Sequence, residues 1–136
     1  MRYFIRTIGF LVGLVIVFTC FSFTNIQKVS EKKWQGIASY YHSKFEGRRT
    51  ATGELFSNRK LTAANNFLKL GTRVRVTNLI NGKSVIVKIN DRMNKKNQRL
   101  IDLSHEAAKQ LGFVQQGLGH VVVEILSVSS DYLAAR

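Results

Sequence analysis

Apolar and polar positions alternate most clearly in the second half of the chain. Arg73-Val74-Arg75-Val76-Thr77 places an apolar side chain at every second residue, the period of a strand with one buried face. Ser84-Val85-Ile86-Val87-Lys88-Ile89 is richly β-branched and predicts its partner strand. Asn81-Gly82 between them predicts a two-residue hairpin turn, because both residues tolerate positive φ. His120 to Leu126 predicts a last strand, and Gly36–Tyr41 and Leu100–Leu103 predict two more. The period changes only after Ser104. Ser104 suits an N-cap, Glu106 sits in the first turn and Gly112 suits the C-terminal cap, with Ala107, Ala108 and Leu111 as the apolar stripe between. Many short strands with one short helix point to a compact β-barrel rather than a sandwich.

The first thirty residues follow neither period. Arg2 and Arg6 precede an uncharged apolar run from Ile8 to Phe23, after which polar, lysine-containing sequence begins at Asn25. A basic start before an apolar segment is the physical pattern of an export leader, whose positive end stays in the cytoplasm. The chain therefore divides into a signal peptide or membrane anchor (1–24), a linker (25–33), one folded domain (34–127) and a C-terminal tail (128–136). Cleavage after Ser22 and retention as an apolar anchor helix both remain open. Cys20 is the only cysteine, so no intramolecular disulfide can form. Lipid attachment at Cys20 is a weaker option, because Val17-Phe18-Thr19 lacks the small residue that processing wants before the cysteine.

Charge narrows the partners. The net charge is +13, and the two leader arginines account for only two of those charges. So basic a surface attracts polyanions. In the cytosol that would suggest nucleic acid. An exported protein instead meets anionic lipid and wall polymers carrying carboxylate or phosphate.

At residue level the chain resembles the rare lipoprotein A family. The matching blocks run from Gly36-Ile37-Ala38-Ser39-Tyr40-Tyr41 through Gly47, Thr50–Phe56 and Leu61-Thr62-Ala63-Ala64. They continue with Gly71–Asn78, Asn81–Val85, Val87-Lys88-Ile89-Asn90-Asp91-Arg92, Ile101-Asp102-Leu103-Ser104 and Ala107-Ala108. The resemblance covers essentially all of residues 35–126. It implies a mainly β fold, a six-stranded double-psi β-barrel with one short α-helix. It also implies a lytic transglycosylase of the bacterial cell envelope, exported to the periplasm, which cleaves peptide-poor peptidoglycan glycan strands without water and leaves an anhydro-sugar end. The implied partners are those strands, a membrane reached through the N-terminal segment, and proteins of the division site. Nucleic acid is not among them, and no cofactor is called for.

Such cleavage needs a proton delivered to the leaving oxygen and stabilisation of an oxocarbenium-like centre. Only eight acidic residues are available. Asp91 is the candidate principal acid. It shares strand parity with Val85, Val87 and Ile89, so partial desolvation on the apolar side is expected to favour its protonated form, with Arg92 opposing. The bland alternative is a salt bridge between Asp91 and a nearby arginine. Glu54 is the second catalytic carboxylate by resemblance, whereas Asp102, just before the Ser104 cap, reads as structural. Tyr41, Arg92, Thr62 and Asn65 are the expected substrate contacts. Tyr40, Tyr41 and Trp34 suit a stacking platform for sugar rings, with core packing the competing role for one of the tyrosines.

Three departures from the family pattern stand out. Asn65 occupies the position of a histidine, and asparagine cannot exchange a proton near neutral pH. Met93-Asn94 replaces a Gly-Pro pair, and Lys69 replaces a proline. The first departure supports an alternative function, a glycan-binding barrel that has lost its activity. His42, His105 and His120 show no metal-ligand spacing, and no metal site is expected.

Overall fold

The computed structural model describes residues 32–126, and the expectations for the leader, Cys20 and the tail fall outside them. Six strands close into a barrel in the order β1-β5-β2-β4-β3-β6. They are β1 (Lys33–Tyr40), β2 (Thr62–Ala64), β3 (Arg73–Asn78), β4 (Ser84–Asp91), β5 (Ile101–Leu103) and β6 (Gly119–Ile125), with α1 (His105–Leu111) between β5 and β6. Two pairings are parallel, β1 with β5 and β2 with β4, and the rest are antiparallel. Closure leaves no exposed sheet edge.

Alternation along β3, β4 and β6 sends Val74, Val76, Val85, Val87, Ile89, Val121 and Val123 into one core. Burying each such side chain contributes roughly 1.5–3 kcal/mol. The helix covers the core with Ala107, Ala108 and Leu111, all fully buried. Ser104 Oγ accepts the Ala107 N–H at 3.3 Å, and Gly112 ends the helix at φ 78°.

Three details depart from the alternation pattern. Strand β2 is only three residues long and buried throughout, so it carries no alternation to read. The β3–β4 turn is longer than two residues: the Gly82 N–H bonds Asn78 O at 2.8 Å, and Gly82 takes positive φ while Asn81 does not. Side-chain amides of Asn78 and Asn81 both donate to Leu111 O at 2.9 Å, tying this turn to the end of α1. Third, β4 carries a bulge. Ala63 pairs with Ile89 but Ala64 pairs with Asp91, leaving Asn90 as the extra residue.

Candidate active site

The bulge sets the position of Asp91. Simple alternation would turn its side chain with Val87 and Ile89 into the core, but Asp91 is half-buried, and Asn90, buried at 2% exposure, directs its amide to Glu54 beside Lys88. Asp91 therefore faces donors rather than apolar side chains, contrary to the expected desolvation on the apolar side. Its Oδ1 accepts the backbone N–H groups of Ala51 at 2.9 Å and Arg92 at 2.8 Å. Its Oδ2 accepts the Tyr41 hydroxyl at 2.7 Å. Oδ2, with one partner against two, retains more capacity for a further hydrogen bond.

Tyr41 is held from both sides. Its ring lies 4.3 Å from that of Phe56 and 5.6 Å from that of Phe45. Burial, and then the hydrogen bond and charge of Asp91, push the Tyr41 phenol well above its ordinary value, so it remains a donor. Tyr40 points the other way, donating to Val114 O at 2.8 Å and packing against Phe113 and His105. Trp34 packs on Phe67 and the core.

Asp91 and Tyr41 lie in a cleft of about 640 Å³. Lys44, Arg48, Arg49, Arg92 and Arg99 line it against only two carboxylates, Asp91 and Asp102. His42 also lines it, its Nδ1 accepting the Lys44 N–H at 3.1 Å. Asp102 joins this wall through a hydrogen bond from Ser39, with Arg99 Nε at 3.2 Å and Asn97 Nδ2 at 3.3 Å.

The remaining expected site residues stand outside the cleft lining. Glu54 pairs with Lys88 at 2.7 Å and accepts a long hydrogen bond from Asn90 at 3.4 Å. The Lys88 hydrogen bond, followed by that from Asn90, holds its carboxyl below its ordinary value. Thr62 is buried in β2. Asn65 is fully buried: its Oδ1 accepts the N–H groups of Phe67 at 3.0 Å and Leu68 at 2.7 Å, and its Nδ2 donates to Leu100 O at 2.8 Å. Those bonds occupy the amide with backbone and leave it no surface for a ligand.

Arg92 lines the cleft, but its Nη1 is committed to the same turn, donating to Asn65 O at 2.5 Å and Leu68 O at 2.6 Å. The contact from Arg92 to Asp91 is thus made by backbone, not by the salt bridge considered from sequence. The sequence offers Arg92, Lys95, Lys96 and Arg99 as a basic loop beside Asp91, either a contact for anionic wall polymer or a solvated charge run, and Asp102 as a structural carboxylate. In the structure Arg92 and Arg99 line the cleft, and the run Asn94 to Arg99 meets Asp102 through Asn97 and Arg99. Among the described residues, no group of three or more His, Cys, Asp or Glu side chains is placed to hold a metal ion.

A family model described as lytic transglycolase matches residues 33–123, which is nearly the whole barrel. The chain belongs to this family. It is 47% identical over 97 residues to the endolytic peptidoglycan transglycosylase RlpA of Haemophilus influenzae, covering 71% of this chain and 34% of that protein. It is 53% identical over 91 residues to the probable endolytic peptidoglycan transglycosylase RlpA of a Synechocystis strain, covering 67% of this chain and 28% of that protein. The chain thus spans about a third of the length of these lytic transglycolase relatives. In fold it is similar to the apo expansin of Clavibacter michiganensis, at a TM-score of 0.57 and 22% identity, over 71% of this chain and 52% of that one. The mainly β, six-stranded double-psi barrel with one short helix is therefore the architecture of this lytic transglycolase domain.

Proposed function

We propose that the chain is a peptidoglycan lytic transglycosylase of the bacterial cell envelope, acting on glycan strands in the cation-lined cleft with Asp91 as the proton-transfer group. The position of Asp91 carries this reading: a half-open carboxylate, held by three donors, with one oxygen retaining acceptor capacity. In the reaction the protonated carboxyl gives its proton to the leaving glycosidic oxygen as the C1–O bond breaks. The sugar's own 6-hydroxyl then bonds C1, and its proton returns to Asp91. No water is consumed and Asp91 is restored. Among relatives, the names of the Haemophilus influenzae and Synechocystis proteins support this substrate and reaction.

Glu54 takes the supporting role here. Its loop, anchored to β4 through Lys88 and Asn90, also supplies the Ala51 N–H that bonds Asp91. Tyr41 orients Asp91. Tyr41→Phe keeps the ring between Phe45 and Phe56 but removes the donor to Oδ2. Loss of one hydrogen bond to a charged group predicts roughly a tenfold or greater fall in kcat with KM little changed. Steady-state kinetics on a soluble glycan checks this; an altered KM at unchanged kcat would make Tyr41 a substrate-stacking residue instead.

One observation favours a second reading, a barrel that binds glycan without cutting it: Asn65, in place of a histidine, cannot carry a proton. Incubating the protein with purified peptide-free glycan and weighing the products by mass spectrometry separates the two. Anhydro-ended fragments are the expected result. Intact strands recovered bound to the protein would establish the binding barrel, and fragments with reducing ends would make the enzyme a hydrolase.

A further inference from the structure

Beside the cleft lies a second, shallower hollow of about 750 Å³. Asn94, Asn97 and Arg99 line both. The segment 94–99 is therefore a partition between the two depressions.

The partition is rigidly built. Asn94 O accepts the Asn97 N–H at 2.8 Å and Asn94 Oδ1 accepts the Lys96 N–H at 2.9 Å. Asn97 Oδ1 accepts the Arg99 N–H at 3.0 Å, while Asn97 and Arg99 side chains reach Asp102. At its start, Met93 is buried and its N–H bonds Asn66 Oδ1 at 2.8 Å. Such a loop presents its side chains without first having to be ordered.

The far wall is equally fixed. Leu118 is 53% exposed and contributes an apolar face together with half-buried Ile37. It is held outward by its neighbours. Gly117, at φ 75°, donates to Phe113 O and Val114 O, and a Cβ on Gly119 would meet the Phe113 ring at 2.9 Å. An aliphatic patch on one side and Lys96 on the other, beside an Arg99 whose Nε is paired with Asp102, match a sugar ring with an apolar face and a carboxylate substituent.

Resting on the transglycosylase reading of the cleft, we infer that the Ile37–Leu118 trough is a second glycan subsite. It takes a sugar of the same strand, and Lys96 meets the free lactyl carboxylate that muramic acid exposes once its peptide is gone. The cleft and the trough together then select strands long enough to span the partition.

The test measures binding apart from cutting. The full chain carrying Asp91→Asn is titrated calorimetrically with a peptide-free tetrasaccharide, with the octasaccharide, and with the octasaccharide after amidation of its carboxylates. The octasaccharide is expected to bind roughly tenfold or more tighter than the tetrasaccharide, the order of one good charged contact. Lys96→Glu, Leu118→Ser and amidation of the ligand should each bring that ratio down towards one. Both side chains are exposed, so folding does not depend on them. A ratio near one in the parent, or one that survives both substitutions, overturns the second subsite. A ratio that survives amidation overturns its carboxylate preference. Failure of the catalytic reading looks different, since the native chain then yields no anhydro ends while the length ratio persists.

Discussion

Asp91→Asn is expected to lower the rate of anhydro-end formation by roughly 10²–10⁴-fold, the range of a positioned proton-transfer group, in a protein that still folds. The amide oxygen replaces one carboxylate oxygen and can accept from the Ala51 and Arg92 N–H groups that now bond Oδ1. Its NH₂ group sits where Oδ2 was and meets the Tyr41 oxygen, which can accept as well as donate. The β4 bulge is a backbone feature and does not depend on the charge. What is lost is the ability to give up and regain a proton at the glycosidic oxygen. Initial rates from mass spectrometry, set beside thermal melts of the two proteins, check the prediction. A variant within about threefold of the native rate would remove Asp91 from the chemistry, with Asp102, the other carboxylate of the cleft wall, next to be tested.

Asn65→Ala should produce the largest loss of stability among the polar residues of the site, about 2–4 kcal/mol. One amide serves three backbone groups, the N–H groups of Phe67 and Leu68 and the carbonyl of Leu100, at full burial. Truncation leaves all three in a place water does not readily reach. For a domain of this size the melting temperature should fall by roughly 10–25 °C. The Leu68 carbonyl beside this turn is also where Arg92 is anchored, so the cleft wall loosens with it. The prediction reads out in a melting curve. A variant with an unchanged melting temperature and a raised KM would instead return Asn65 to the substrate contacts expected from sequence.

Legibility followed the physics of each element. The alternation of β3, β4 and β6 could be read because one face of each is buried and the other wet, and the pattern reports that difference directly. The helix was legible from its ends, Ser104 and Gly112, more than from its seven residues. Strand β2 escaped the pattern because Thr62-Ala63-Ala64 is buried on both faces and paired on both edges. Only the family blocks pointed to it. The Asn81-Gly82 turn was located by its residues and misread in length, since the bonds from Asn78 and Asn81 to Leu111 are long-range.

The sequence by itself determined the barrel-forming strands other than β2, the helix caps, the excess of positive charge and Asp91 as the carboxylate to examine. Each of these depends on residue type and near neighbours. Tertiary structure decided how those residues are used. One unmatched residue at Asn90 broke the parity from which the Asp91 environment was inferred, and turned the carboxylate towards Tyr41 and the cleft. Closure of the barrel set Asn65 against the carbonyl of Leu100, 35 residues away, where its buried amide serves backbone groups. It also brought Asp102 to the wall of the cleft that Asp91 lines, while Glu54 remained paired with Lys88 outside that lining. These placements arise from contacts between residues far apart in the chain, which no local period encodes.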